Sequence, residues 1–158
     1  NEISDGQLQI VLIARALAQD TALIILDEPT THLDLHHKVS VFKLLKKLSQ
    51  ETNKSILFST HITSDLEKCA DYITYINDGS IVNSMEKNDF LNTYRLLNGS
   101  SEQLEFVKEH MISYKTNSFG FTGLIHTNDF DSSSGINVAI PNLEEIMIYY
   151  SKKEVKHV

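Results

Sequence analysis

The sequence predicts an α/β fold, a core on a mainly parallel sheet followed by a small α+β appendage. Three observations carry this expectation. Two short apolar runs, Ala22 to Leu26 and Ser55 to Thr60, flank an amphipathic helix pattern, the layout of a crossover between parallel strands. Both runs end in polar residues, Asp27-Glu28 and His61, and the carboxyl ends of strands are where open α/β sheets bind ligands. Beyond Tyr72 the pattern changes to short runs punctuated by turn residues, which suits antiparallel pairing.

The elements follow in order. Ser4 is a good helix N-cap, and Gln7 three residues later completes a capping box. The helix after it carries Leu8, Val11, Leu12, Arg15 and Ala16 on neighbouring positions, a mostly apolar face. Ala22 to Leu26 is continuously apolar, so it reads as a strand buried on both faces. After Asp34, Val39, Phe42, Leu45 and Leu48 recur every three residues, predicting an amphipathic helix that ends near Glu51. Ser55 to Thr60 is the next strand, and Ser64 with Glu67 marks a second capping box opening a short helix to Ala70. Tyr72 to Ile76 and Ser80 to Val82 flank Asn77-Asp78-Gly79, a tight hairpin signal. Asn88 to Leu97 and Ser101 to Glu109 read as two short helices separated by Asn98-Gly99-Ser100. Met111 to Lys115, Phe119 to Ile125 and Ile136 to Ile140 predict strands, with a polar loop over Asn128 to Gly135. Pro141-Asn142 opens a final helix, Leu143 to Lys152, before a charged tail. The expected division is a core over 1–85 and an extension over 86–158.

Composition narrows the function classes. At 158 residues the chain is long enough for one sizeable core. Its 21 acidic against 14 basic residues, net charge −7, disfavour non-specific nucleic-acid binding. Lys43, Lys46, Lys47 and Lys54 form a local basic cluster, read as a solvated helix face. The apolar runs are strand-sized, so no direct membrane insertion is expected, and membrane association would come through a partner protein. A single cysteine, Cys69, excludes an internal disulfide, fits a reducing cytoplasm, and reads as a small buried apolar residue. His32, His36 and His37 lie close in sequence, but with no cysteine or second acidic set nearby they read as exposed helix-entry histidines.

Ile3-Ser4-Asp5-Gly6-Gln7, then Leu23 to Leu26 with Asp27-Glu28-Pro29-Thr30, then Thr31-His32-Leu33-Asp34, then a strand ending in His61, together resemble the signature, Walker B, D-loop and switch-histidine motifs of ABC transporter ATP-binding proteins. The likeness through His61 is to importers of iron chelates. From Ile62 onward, including Asn117 to Phe121 and Leu143 to Met147, it is to lantibiotic- or multidrug-type exporters, so the two stretches point in opposite transport directions. Asp5 stands where the family often has glycine, and Ile10 where a basic residue is usual.

The resemblance implies a P-loop NTPase core with ATP and magnesium as ligands, a second ATPase domain and transmembrane permease subunits as partners, and a place at the inner face of the cell membrane. Asp27 would hold magnesium through water, Glu28 would be the general base, and His61 would contact the γ-phosphate. Ser4, Gly6 and Gln7 would serve an ATP held by the other domain, since helix-start N–H groups suit phosphate oxygens, and Asp34 would communicate across the dimer. No G-x-x-x-x-G-K-S/T loop occurs in the sequence, so the resemblance is to the portion of such a domain from the signature onward. Without that loop and its lysine the chain is expected to be inactive alone, and the strands ending at Leu26 and Thr60 to lack neighbours and leave apolar edges exposed. The alternative is a non-catalytic regulatory partner that offers the signature in trans to a complete ATPase.

Overall fold

The computed structural model describes residues 4–52, 54–130 and 135–151. Ile3 at the start of the signature, the centre of the loop expected over Asn128 to Gly135, Lys152 of the last helix and the charged tail lie outside the described residues. The chain divides into two compact units, Asn1–Cys69 and Ala70–Val158.

In the first unit, α1 (Asp5–Ala18) opens with the expected capping box. The Ser4 hydroxyl accepts the Gln7 backbone N–H at 3.3 Å, and the Gln7 side chain accepts the Ser4 N–H at 3.0 Å. The expected apolar face is not the one that turns inward. Leu8, Val11 and Leu12 stay exposed, while Ile13 is buried, with Ala16 and Leu17 packed beside it. The helix is apolar on more than one side, so its apolar residues alone do not select the face.

Strands β1 (Leu23–Asp27) and β2 (Ser55–Ser59) pair in parallel, with α2 (Leu35–Glu51) connecting them. Ile24 and Leu26 join Ile13, Leu33, Val41, Phe42 and Leu45 in one core, and the Phe42 and Phe58 rings lie 6.4 Å apart. The two-face burial expected for β1 is corrected: burial alternates, and Ile25 is 66% and Leu57 57% exposed. The buried cluster takes only one face of each strand, so a continuous apolar run here coexists with one-sided cover.

Helix α3 (Thr63–Cys69) begins one residue before Ser64, which therefore lies inside the first turn instead of capping it. The Thr60 hydroxyl accepts the Ile62 N–H at 3.0 Å just ahead of the helix. Cys69 ends α3 half-buried against the core. Lys54 leaves the basic cluster and pairs with Asp20 at 2.8 Å.

The second unit opens with the expected hairpin, β3 (Tyr72–Asn77) and β4 (Ser80–Glu86). Asp78 (φ 47°) and Gly79 (φ 71°) form its turn, both in the left-handed region that a two-residue hairpin turn demands. The helix expected over Asn88 to Leu97 is corrected. Helix α4 (Lys87–Asn92) stops at Thr93, and the residues after it form β5 (Tyr94–Gly99). Strand β5 lies inside a four-stranded antiparallel sheet of order β6-β7-β5-β8, with β6 Met111–Asn117, β7 Gly120–His126 and β8 Asn137–Ala139. Hydrogen bonding from both neighbours overrides the helical preference of Leu96 and Leu97.

Helix α5 (Ser101–Val107) carries its own capping box, Ser100 with Gln103, and Leu104 buries against Leu97, Phe121 and Ile125. Helix α6 (Leu143–Ser151) is capped by Asn142, whose side chain accepts the Glu145 N–H at 2.8 Å. Its Tyr150 meets the Tyr94 hydroxyl at 3.1 Å and the Tyr75 ring at 5.5 Å. Tyr94 and Leu97 alternate along β5, so the sheet packs side chains on both faces.

Candidate functional site

Two parallel strands deliver polar groups to one end of their sheet. The register pairs Asp27 with Ser59, the last residues of β1 and β2, and each chain then continues into Glu28 or toward His61. Ser59 bridges the two. Its hydroxyl donates to Asp27 Oδ1 and accepts the Glu28 backbone N–H at 3.2 Å, an N–H that the Ser59 carbonyl also accepts at 3.2 Å.

Glu28 leaves the strand with φ 44°, the left-handed region, which costs a non-glycine residue of order 1–3 kcal/mol. The surroundings fix it there. The Gln9 amide donates to the Glu28 carbonyl at 3.1 Å, and the Thr31 N–H donates to the same oxygen at 3.2 Å. The side chain is held as firmly: Oε1 accepts the His61 backbone N–H at 3.2 Å and meets His61 Nδ1 at 2.7 Å, while Oε2 accepts the Thr31 hydroxyl at 3.2 Å. A carboxylate offers about four acceptor positions, so one remains, on Oε2. The His61 side chain is 74% exposed and that of Glu28 34%. With Nδ1 committed to Glu28 as a donor, the neutral ring presents Nε2 as an acceptor.

The other sequence-selected residues take different places. Asp34 is the N-cap of α2, with Oδ1 accepting the His37 N–H at 2.9 Å and Oδ2 meeting the His37 ring at 2.8 Å. The His37 N–H foremost, and then its ring, hold the Asp34 carboxyl below the usual carboxylate range. Ser4 and Gln7 cap each other at the exposed start of α1. Gly6 faces the turn before Asp34: a Cβ on it would lie 3.0 Å from the His32 carbonyl oxygen, so glycine lets the helix start approach that turn. The structure thus gathers Asp27, Glu28 and His61 into one cluster, sets the α1 start against His32, and engages Asp34 with its own helix.

Ser59, Thr31 and Gln9 join this site in roles that the motif reading does not assign, although Thr31 opens the D-loop-like segment. Ser59 was within reach of it, because parallel strands ending level with each other place the residue before Thr60-His61 beside Asp27. Asp27 is exposed beside the Ser59 hydroxyl, a hard-oxygen pair at a strand end. Magnesium takes only one or two carboxylates from a protein and completes its shell with water and phosphate, so this donor set fits it.

Comparison with known proteins adds the following. A family model described as "AAA domain, putative AbiEii toxin, Type IV TA system" matches residues 1–64. The petrobactin import ATP-binding protein of Bacillus subtilis is 38% identical over 93 residues, 59% of this chain and 37% of that protein. An energy-coupling factor transporter ATP-binding protein of Staphylococcus epidermidis is 37% identical over 108 residues, 68% of this chain and 38% of that protein. Among solved structures, a dimeric ATP-binding cassette in a post-hydrolysis state bound to ADP and Pi has a TM-score of 0.51 at 36% identity, covering 54% of this chain and 37% of that one. An inward-facing, putative metal-chelate type ABC transporter has a TM-score of 0.52 at 29% identity, covering 83% of this chain and 49% of that one. The chain spans just over a third of the length of these curated relatives.

Proposed function

We propose that this chain, a homologue of the ATP-binding proteins of ABC transporters with the fold of their ATPase domains, supplies the signature and hydrolytic parts of such a subunit and couples ATP hydrolysis to transport. The observation that carries this reading is the Glu28–His61 pair: two side chains from the ends of parallel strands, joined at 2.7 Å, with one carboxylate position left open.

In this reading Glu28 is the general base. Its carboxylate is oriented by His61 and Thr31, and the open position on Oε2 accepts the proton of an attacking water. His61 offers Nε2 toward the water or, when protonated, toward the γ-phosphate. Asp27, with Ser59 beside it, would hold magnesium through water, and the ion would supply charge neutralisation at the phosphate oxygens. Ser4 accepts from Gln7 but can still donate its hydroxyl proton, and with Gly6 and Gln7 at a helix start it would face the ATP of a second domain. Asp34, in the turn that Gly6 approaches, would report on that neighbour.

The working assembly would be a dimer of ATPase domains on transmembrane permease subunits, peripheral to the inner face of the membrane. No helix among the described residues is long and apolar enough to cross a membrane. The functional core is proposed to run through residue 85, with 86–158 as a regulatory or dimer-stabilising extension.

A second reading has its own support. Ser4 and Gln7 stand exposed at the start of α1. A regulatory partner would present Ser4, Gly6 and Gln7 in trans to a complete ATPase. ATP titration by calorimetry separates the two, first with the chain alone and then with a complete homologous cassette. Heat of binding in the mixture beyond that of the cassette by itself supports the in-trans role, whereas binding by the chain alone removes it.

A further inference from the structure

Beside the Glu28–His61 pair lies a buried polar network that the proposed chemistry does not use. Asp65 is 2% exposed and Thr30 1%. The Thr30 hydroxyl donates to Asp65 Oδ2 at 2.6 Å, and Lys38 Nζ stands 3.9 Å from the same oxygen. A carboxylate removed from water is costly unless it is hydrogen-bonded and paired, and packing alone is served better by apolar side chains of similar volume. A buried charge kept in such a place calls for a reason in what it joins.

Asp65 and its two partners, Thr30 and Lys38, come from three motif-bearing segments. Thr30 lies two residues beyond Glu28, Asp65 four beyond His61, and Lys38 four beyond Asp34. Short backbone bonds tie each end to the pair. The Asp65 N–H donates to the Ile62 carbonyl at 3.0 Å, which anchors the segment leaving His61. The Leu33 N–H donates to the Thr30 carbonyl at 3.2 Å, and the Thr31 N–H to that of Glu28 at 3.2 Å, so the turn is closed around Thr30.

Both members of the pair need outside support. Glu28 sits in the left-handed region, a conformation that persists only where the surroundings over-determine it. His61 is mostly exposed, so its own packing does little to orient it.

We propose that Asp65 is a positioning residue: its carboxylate, held by Thr30 and Lys38, locks the turn carrying Glu28 to the segment carrying His61 and so sets the contact between them. Its meaning for catalysis rests on the reading of Glu28 and His61 as the hydrolytic pair, but the contact itself is measurable without nucleotide.

The test is the tautomer of His61, read from the ring nitrogen shifts of the full 158-residue chain labelled with 15N-histidine, in alkaline buffer where imidazole is neutral. With Nδ1 donating to Glu28, the wild-type ring is expected to be almost wholly the Nδ1–H form. Asp65→Asn should shift it toward the Nε2–H form that unconstrained imidazole prefers, to the extent seen in Glu28→Gln. Thr30→Val, which keeps the side chain's shape and removes its hydroxyl, should do the same, and Thr30→Ser should restore the wild-type form. Leu45→Ala, which weakens the same unit away from the network, should leave the tautomer unchanged. A wild-type tautomer in folded Thr30→Val or Asp65→Asn overturns the proposal. If Asp65→Asn does not fold, Thr30→Val decides alone. An intact tautomer shift in a chain whose completed cassette hydrolyses no ATP would remove the functional reading while leaving the positioning role in place.

Discussion

The two units of this chain solve the packing of a sheet in opposite ways. The four antiparallel strands of the second unit bury side chains on both faces: Tyr94 meets Tyr150 on one, and Leu97 packs with Leu104, Phe121 and Ile125 on the other. The two parallel strands of the first bury one face and leave Leu23, Ile25 and Leu57 in water. Yet the less covered sheet carries the strained Glu28, the Glu28–His61 contact and the bridging Ser59. The contrast teaches that the polar ends of β1 and β2 are organised by hydrogen bonds across a short register, not by a deep core. Stability and candidate chemistry should therefore respond to different substitutions.

The largest effect should fall on chemistry in the first unit. In a cassette completed with a phosphate-binding loop, His61→Ala is expected to lower the steady-state ATPase rate by about 10²–10⁴-fold. A wild-type rate would remove His61 from the site. Next comes the second unit: Leu124→Ala, at a fully buried position, should cost about 2–5 kcal/mol in urea unfolding.

The units should also differ in pH response. Burial pushes the hydroxyls of Tyr75, Tyr94, Tyr149 and Tyr150 above the usual tyrosine range. A raised folded pKa contributes stability that is complete below the unfolded value, near 10, and is lost as pH rises through the folded values. Alkaline titration should thus loosen the second unit, and Tyr150→Phe should blunt its part of that loss.

Asp34 works in the other direction, because its folded pKa is lowered. The advantage of wild type over Asp34→Ala should be full above the unfolded Asp pKa and fade as pH falls through the lowered one. Thermal unfolding at a series of acidic pH values checks this. The smallest effect belongs to Ile25→Ser, within about 0.5 kcal/mol at a position already exposed. A large loss there would mean that the face is covered in solution.

Much of this was legible in the sequence where local chemistry decides. The Ser4–Gln7 box, the Asp78-Gly79 turn and the strand ends at Asp27 and Ser59 follow from residues within a few positions of one another. What escaped depends on partners distant in the chain. Strand β5 reads as helix until β7 and β8 are paired to it. The inward face of α1 is chosen by Ile13 meeting β1, and the Thr30–Asp65 bond joins residues 35 positions apart. Ser59 carries no motif of its own and Thr31 only opens the segment Thr31 to Asp34; their part in the site is set by register and by the sharp turn at Glu28.

The most direct test is Glu28→Gln in the completed cassette, followed by single-turnover release of phosphate from pre-bound ATP. The account predicts that ATP still binds while phosphate release falls by about 10²–10⁴-fold, because the amide keeps the shape and cannot take the proton. Release at the wild-type rate would contradict it and take the general base away from Glu28.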